Sequence, residues 1–113
     1  MTRTEHLLVI LAEECSEVAK NASKALRFGL TDREPGPYET NAERIVQEFH
    51  DLHAVVEMLM DEGAIPKRYD GIAMIRKREK VERFLKVSEQ CGTLDAAVSA
   101  TTHAAGANNQ EGQ

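Results

Sequence analysis

Aromatic residues are scarce in this chain, only 4% of it, with no tryptophan, two tyrosines and three phenylalanines. A nucleic-acid binder that stacks bases on aromatic platforms is therefore disfavoured. The net charge of −5 also argues against general phosphate-backbone binding, which needs clustered Lys and Arg. Cysteine is nearly absent. Cys15 and Cys91 form neither a CxxC nor a disulfide framework. No apolar run could span a bilayer, and LLVILA is too short for a signal peptide. The chain has no Gly-rich phosphate loop, no GxGxxG, no HExxH and no Ser-His-Asp grouping. A soluble, reducing, cytoplasmic setting is the resulting expectation.

What is present is aliphatic. The apolar fraction is 42%, carried by Leu, Val, Ile and Ala, which suits packed helices. At 113 residues the chain makes one small domain. Apolar positions Leu7, Leu8, Leu11, Cys15, Val18, Ala22 and Ala25 keep three-four spacing, which predicts a helix from Thr4 to about Arg27 with Cys15 in the core. Thr2 or Thr4 could cap it, and Gly29 lies just past its end. The Gly- and Pro-bearing stretch GLTDREPGPYET is a loop. A second helix is expected from about Asn41 to Asp61, capped by Thr40 or Asn41, with Glu43 completing a capping box from Thr40. A third is expected from about Tyr69 to Glu89, and Cys91-Gly92 ends it.

The fold class is thus all-α, a bundle of three main helices spanning residues 1 to 90. Residues 91 to 113 are small, polar and nearly uncharged, and read as a mostly disordered tail with at best one helical turn near Leu94 to Val98. Three helices seal a core poorly. Pairing with a second copy would complete a four-helix-like arrangement.

The chemistry lies in the acids. With Glu14 as angular zero on the first helix, Leu7, Leu11 and Val18 fall at about 20°, 60° and 40°. Glu14 therefore sits on the edge of the apolar stripe. Glu17 lies beside it at about −60°, and Glu13 points further out at about −100°. On the second helix, with Glu48 as zero, Ile45, Leu52, Val55 and Leu59 fall at about 60°, 40°, −20° and 20°, so Glu48 lies within the stripe. Asp51 takes the flank that Glu17 takes on the first helix. Each helix so carries two carboxylates spaced i, i+3, one of them in core-facing territory. An unpaired buried carboxylate costs several kcal/mol, on the order of the penalty for any buried ion. Four converging carboxylates would repel unless a cation sat between them. All-oxygen ligands suit a hard ion, Mg²⁺ or Mn²⁺, and Mg²⁺ is commonly shared with substrate phosphates. The competing interpretation is a solvated acidic face paired with Arg or Lys, in a non-catalytic helical interaction module.

Other residues admit two interpretations each. Asn21 and Lys24 share the flank of Glu17 and could contact a nucleotide and its phosphates, or could lie on a wet face. Arg44, one turn before Glu48, could simply neutralise it. Lys77, Lys80 and Arg83 recur every three residues on the third helix and could meet a polyphosphate, or form a solvated face with Glu79 and Glu82. His50 and His53 flank Asp51 but read as surface histidines. No His has a Glu three residues before it, which removes the usual diiron pattern.

Glu13-Glu14-x-x-Glu17 followed by Glu48-x-x-Asp51 resembles the MazG-like group of all-α nucleoside triphosphate pyrophosphohydrolases, a family known for an EExxE on one helix and an E-x-x-D on the next. The segments LLVILAEECSEVAKNASKALRFGL and NAERIVQEFHDLHAVVEML look like the family throughout, and KREKVERFL looks like its basic segment on a later helix. The resemblance covers about residues 5 to 88 and is particularly similar to short phage-encoded members. It implies Glu14, Glu17, Glu48 and Asp51 as metal ligands, with Lys80 and Arg83 touching phosphates. Asn21 and Lys24 would complete the substrate contacts. It also implies a homodimer or homotetramer in a cytoplasm, that of the host if the chain is phage-encoded. The implied reaction is Mg²⁺-dependent hydrolysis of a (deoxy)nucleoside triphosphate to the monophosphate and pyrophosphate. Possible duties are dNTP-pool house-cleaning or action on (d)GTP for phage modified-purine synthesis. One departure is the longer gap between the acidic pairs, which contains the proline-bearing loop. Residues that choose the base are expected in that loop, 28 to 40, and on the first helix.

Overall fold

The computed structural model describes residues 1 to 96. Three helices account for its regular structure: α1, Arg3–Phe28; α2, Asn41–Asp61; and α3, Gly71–Gln90. The all-α expectation holds, and no strand occurs among the described residues. The predicted tail falls mostly beyond them. Of the turn expected near Leu94 to Val98, residues 94 to 96 are not helical, and the rest lies outside the described residues.

Both long N-terminal helices start as the sequence dictates. Thr2 caps α1 by accepting from the Glu5 backbone N–H at 3.1 Å, and the Glu5 carboxylate accepts the Thr2 N–H at 2.6 Å. Thr40 and Glu43 repeat the reciprocal pair at α2, at 3.2 and 2.7 Å. Each box satisfies two N–H groups that a helix end leaves without partners. The Thr40 contacts also hold the Glu43 carboxyl below its ordinary pKa, with the backbone bond contributing most. Gly29 stops α1 at φ 102, a conformation open to glycine at little cost, and its N–H closes on the Ala25 carbonyl at 2.8 Å. The third helix begins two residues later than the sequence suggests. Asp70 is its cap, accepting from the Ile72 and Ala73 N–H groups at 3.0 and 3.1 Å.

The chain divides into two compact units, Met1–Arg68 and Tyr69–Gln113. In the first, α1 and α2 pack as an antiparallel hairpin. Its core is small. Leu7, Val55 and Leu59 are buried, Leu59 completely, and Ile10, Leu11 and Ile65 pack around them. At the open end, Arg3 and Thr4 both donate to the Glu62 carboxylate. At the loop end, buried Asn41 donates through Nδ2 to the Gly29 carbonyl at 2.9 Å. The backbone N–H groups of Asn41 and Ala42 reach the Asp32 and Leu30 carbonyls, so the loop is tied to the start of α2.

The apolar stripe of α1 is wider than the strip that α2 covers. Leu8, Cys15 and Ala22 are exposed, so Cys15 is not the core residue that its spacing suggests. A single neighbouring helix covers only a narrow sector of its partner, and residues at the margins of the stripe stay open. Phe49 is likewise 56% exposed on α2. In the second unit, α3 has no buried residue. Ile72, Met74, Ile75, Val81, Phe84, Leu85 and Val87 are all open to solvent.

Candidate metal centre

The antiparallel hairpin brings the two acidic pairs face to face. One carboxylate oxygen each from Glu14, Glu48 and Asp51 lies within 4.8 Å of the others. Three of the four expected ligands thus converge from two helices. Glu14 and Glu48 are half-buried at the margin of the packed strip, as their helical angles require. Lost hydration raises the Glu14 pKa above its ordinary value, and the charges of Asp51, Glu48, Glu17 and Glu13 raise it further, in that order. That pattern marks a place where negative charge is crowded without compensation.

Glu17 stands apart from the trio. Its carboxylate accepts from Lys20 Nζ at 3.2 Å, an i, i+3 pair on the helix surface. Glu13 is exposed, as its angle predicts.

Asn21 is not on a wet face. It is only 4% exposed, and its Nδ2 donates to Glu48 Oε1 at 3.3 Å. A neutral amide thereby fixes the orientation of a carboxylate that faces two others. Gln47 does the same for Asp51, donating from Nε2 to Oδ1 at 3.0 Å. Sequence inspection passed over Gln47, although its i, i+4 spacing to Asp51 was the available signal.

Arg44 makes no ion pair with Glu48 and so does not neutralise it. With Lys24 it lines a cavity at the loop end of the hairpin, together with Phe28 and Asn41. His50 and His53 stay outside the carboxylate cluster. Both pack on the Phe49 ring, and His53 Nε2 lies 3.7 Å from Glu57 Oε1. Lys80 and Arg83 belong to the second unit, where both are exposed and Lys80 Nζ lies 5.9 Å from the centroid of the Phe84 ring.

The donor set fits a hard divalent cation. It is all oxygen, comes from two helices, and is braced by two amides. No helix among the described residues is long and apolar enough to cross a membrane. No protein-family model, curated protein or solved structure matches the chain.

Proposed function

We propose that this protein hydrolyses a (deoxy)nucleoside triphosphate to the monophosphate and pyrophosphate, with Mg²⁺ or Mn²⁺ held by Glu14, Glu48 and Asp51. The convergence of those three carboxylates within 4.8 Å carries the proposal. The MazG-like phrasing of residues 5 to 88 supports the same chemistry. An ion held there would supply positive charge against the charge that builds as the α–β bond breaks. Glu14 and Glu48 face the ion from opposite helices, and Asn21 and Gln47 hold Glu48 and Asp51 in register. Glu17 would be the fourth ligand, on leaving Lys20. That exchange is cheap, because an exposed pair of this kind contributes only about 0.2–1 kcal/mol. Water supplies the oxygen that ends on the α-phosphorus, and the bridging oxygen leaves with pyrophosphate.

Incubation with Mg²⁺ and each of the eight common NTPs and dNTPs, reading pyrophosphate against phosphate, tests the proposal. Pyrophosphate release that Glu48→Gln abolishes is the expected result. Release of phosphate, or of neither product, contradicts it.

Assembly into a homodimer or homotetramer belongs to the same proposal. It is supported by the apolar side chains that α3 leaves open, since contiguous exposed apolar surface marks interaction sites. This observation also favours the second interpretation, a helical interaction module whose acids are structural. Metal-dependent thermal stabilisation separates the two, because a ligand that binds only the folded state raises its melting temperature.

A further inference from the structure

The groove between α1 and α2 changes sign along its length. Glu14, Glu48 and Asp51 make one stretch of it negative. Lys24 follows Asn21 by three residues on α1, and Arg44 precedes Glu48 by four on α2. At a rise of 1.5 Å per residue, Glu14 and Asp51 lie about 15 and 10 Å from these cations along their own helices, while Lys24 lies about 4–5 Å beyond Asn21 and Arg44 about 6 Å beyond Glu48, toward the loop. There Lys24, Arg44 and Phe28 line a cavity of about 190 Å³ with Asn41 and the loop residues Asp32, Arg33 and Glu34.

Lys24 and Arg44 are both half-buried, and neither side chain has an ion pair or hydrogen bond among the described residues. Two like charges facing one cavity repel each other and lose hydration, and no ion pair among the described residues offsets either cost. Asp32 and Glu34 lie at the same cavity without pairing to them, and three cations against two carboxylates leave it net positive. Arg33, the third cation, also acts on Glu43. The walls are fixed, since the Asn41–Gly29, Asn41–Asp32 and Ala42–Leu30 hydrogen bonds tie the loop to α2. Partly desolvated, unpaired cations on a tied-down cavity suit an anion with several acceptor oxygens.

We propose that the Lys24–Arg44 cavity binds a diphosphate group, and that in the hydrolase this is the pyrophosphate end of the triphosphate. The second half of the proposal rests on the nucleotide assignment above; the first does not. The bond to be cut then lies at the Glu48 end of the carboxylates, and the leaving group lies over the cations, one helical turn from Glu48 toward the loop. This differs from assigning the phosphates to Lys80 and Arg83 alone, and it places the base outside the cavity.

The test is calorimetric titration of inorganic pyrophosphate into the full chain in EDTA, where the carboxylates hold no ion. The expected result is binding without metal. Lys24→Met and Arg44→Gln keep the apolar stems and so the packing; each should weaken binding about tenfold or more, as loss of a charge-assisted hydrogen bond does. Glu48→Gln should leave binding intact, and circular dichroism checks that every variant is folded. No metal-free binding, or binding that neither Lys24→Met nor Arg44→Gln changes, overturns the proposal. So does binding of a nucleoside lacking phosphates that both variants abolish, because the cavity is then a base site. Pyrophosphate binding without any triphosphate hydrolysis supports the anion site and removes only the hydrolase assignment.

Discussion

At the residue scale, Asn21 is the most informative position. A buried amide that donates to one carboxylate of the cluster shapes the site through that carboxylate. Asn21→Ala should weaken Mn²⁺ binding about tenfold or more, in line with the effect of removing groups that orient metal ligands. It should also cost about 1 kcal/mol of stability through the lost hydrogen bond. Equilibrium titration of Mn²⁺ and urea denaturation read the two effects separately; unchanged Mn²⁺ affinity would mean that Glu48 needs no brace. Glu14, Glu48 and Asp51 were legible because helical angles alone place them at the rim of an apolar stripe. Asn21 was not, since its burial depends on how closely α2 crosses that flank, and angles on one helix carry no information about the neighbour. Cys15 went wrong for the same reason. Its angle is apolar, but α2 does not cover that sector.

The elements owe their ends to local chemistry, and here sequence and structure agree best. Thr40 and Glu43 form the box that their spacing announces, and Thr40→Ala should cost about 1 kcal/mol. The Glu43 carboxyl adds a pH signature. Its pKa is lowered in the folded state, so it stabilises the fold above its unfolded pKa, and that contribution disappears as pH falls through the folded value. Glu43→Gln should therefore be less stable than the parent at neutral pH, and the gap should close in acid, below the usual glutamate range. Melting temperatures across that range check this, and a gap that stays constant with pH would exclude the linkage. Gly29→Ala should cost about 1–3 kcal/mol, because φ 102 strains any residue with a Cβ even though nothing crowds the position. α3 starts two residues after the expected Tyr69 because Asp70 caps the helix instead of joining it. Asp caps as readily as Thr, and Asp70 was the available signal.

At the scale of the whole molecule, α3 carries an apolar face that its own unit leaves open, and the assembly proposal covers it with a second copy. Light scattering should give a mass that is a multiple of 12.6 kDa. Replacing Ile75 and Phe84, each more than half exposed, by Glu should shift that mass toward the single chain. A parent that is already monomeric would remove the assembly proposal. The tied loop has a further consequence, for the order of folding. Asn41 and Gly29 are twelve residues apart, whereas Arg3 and Glu62 must find each other across fifty-nine. A loop of about ten residues closes in roughly 10–100 ns, and longer closures lose more chain entropy. The hairpin should zip from the loop toward the termini. Asn41→Ala should then slow refolding, while loss of the Arg3–Glu62 pair should only quicken unfolding.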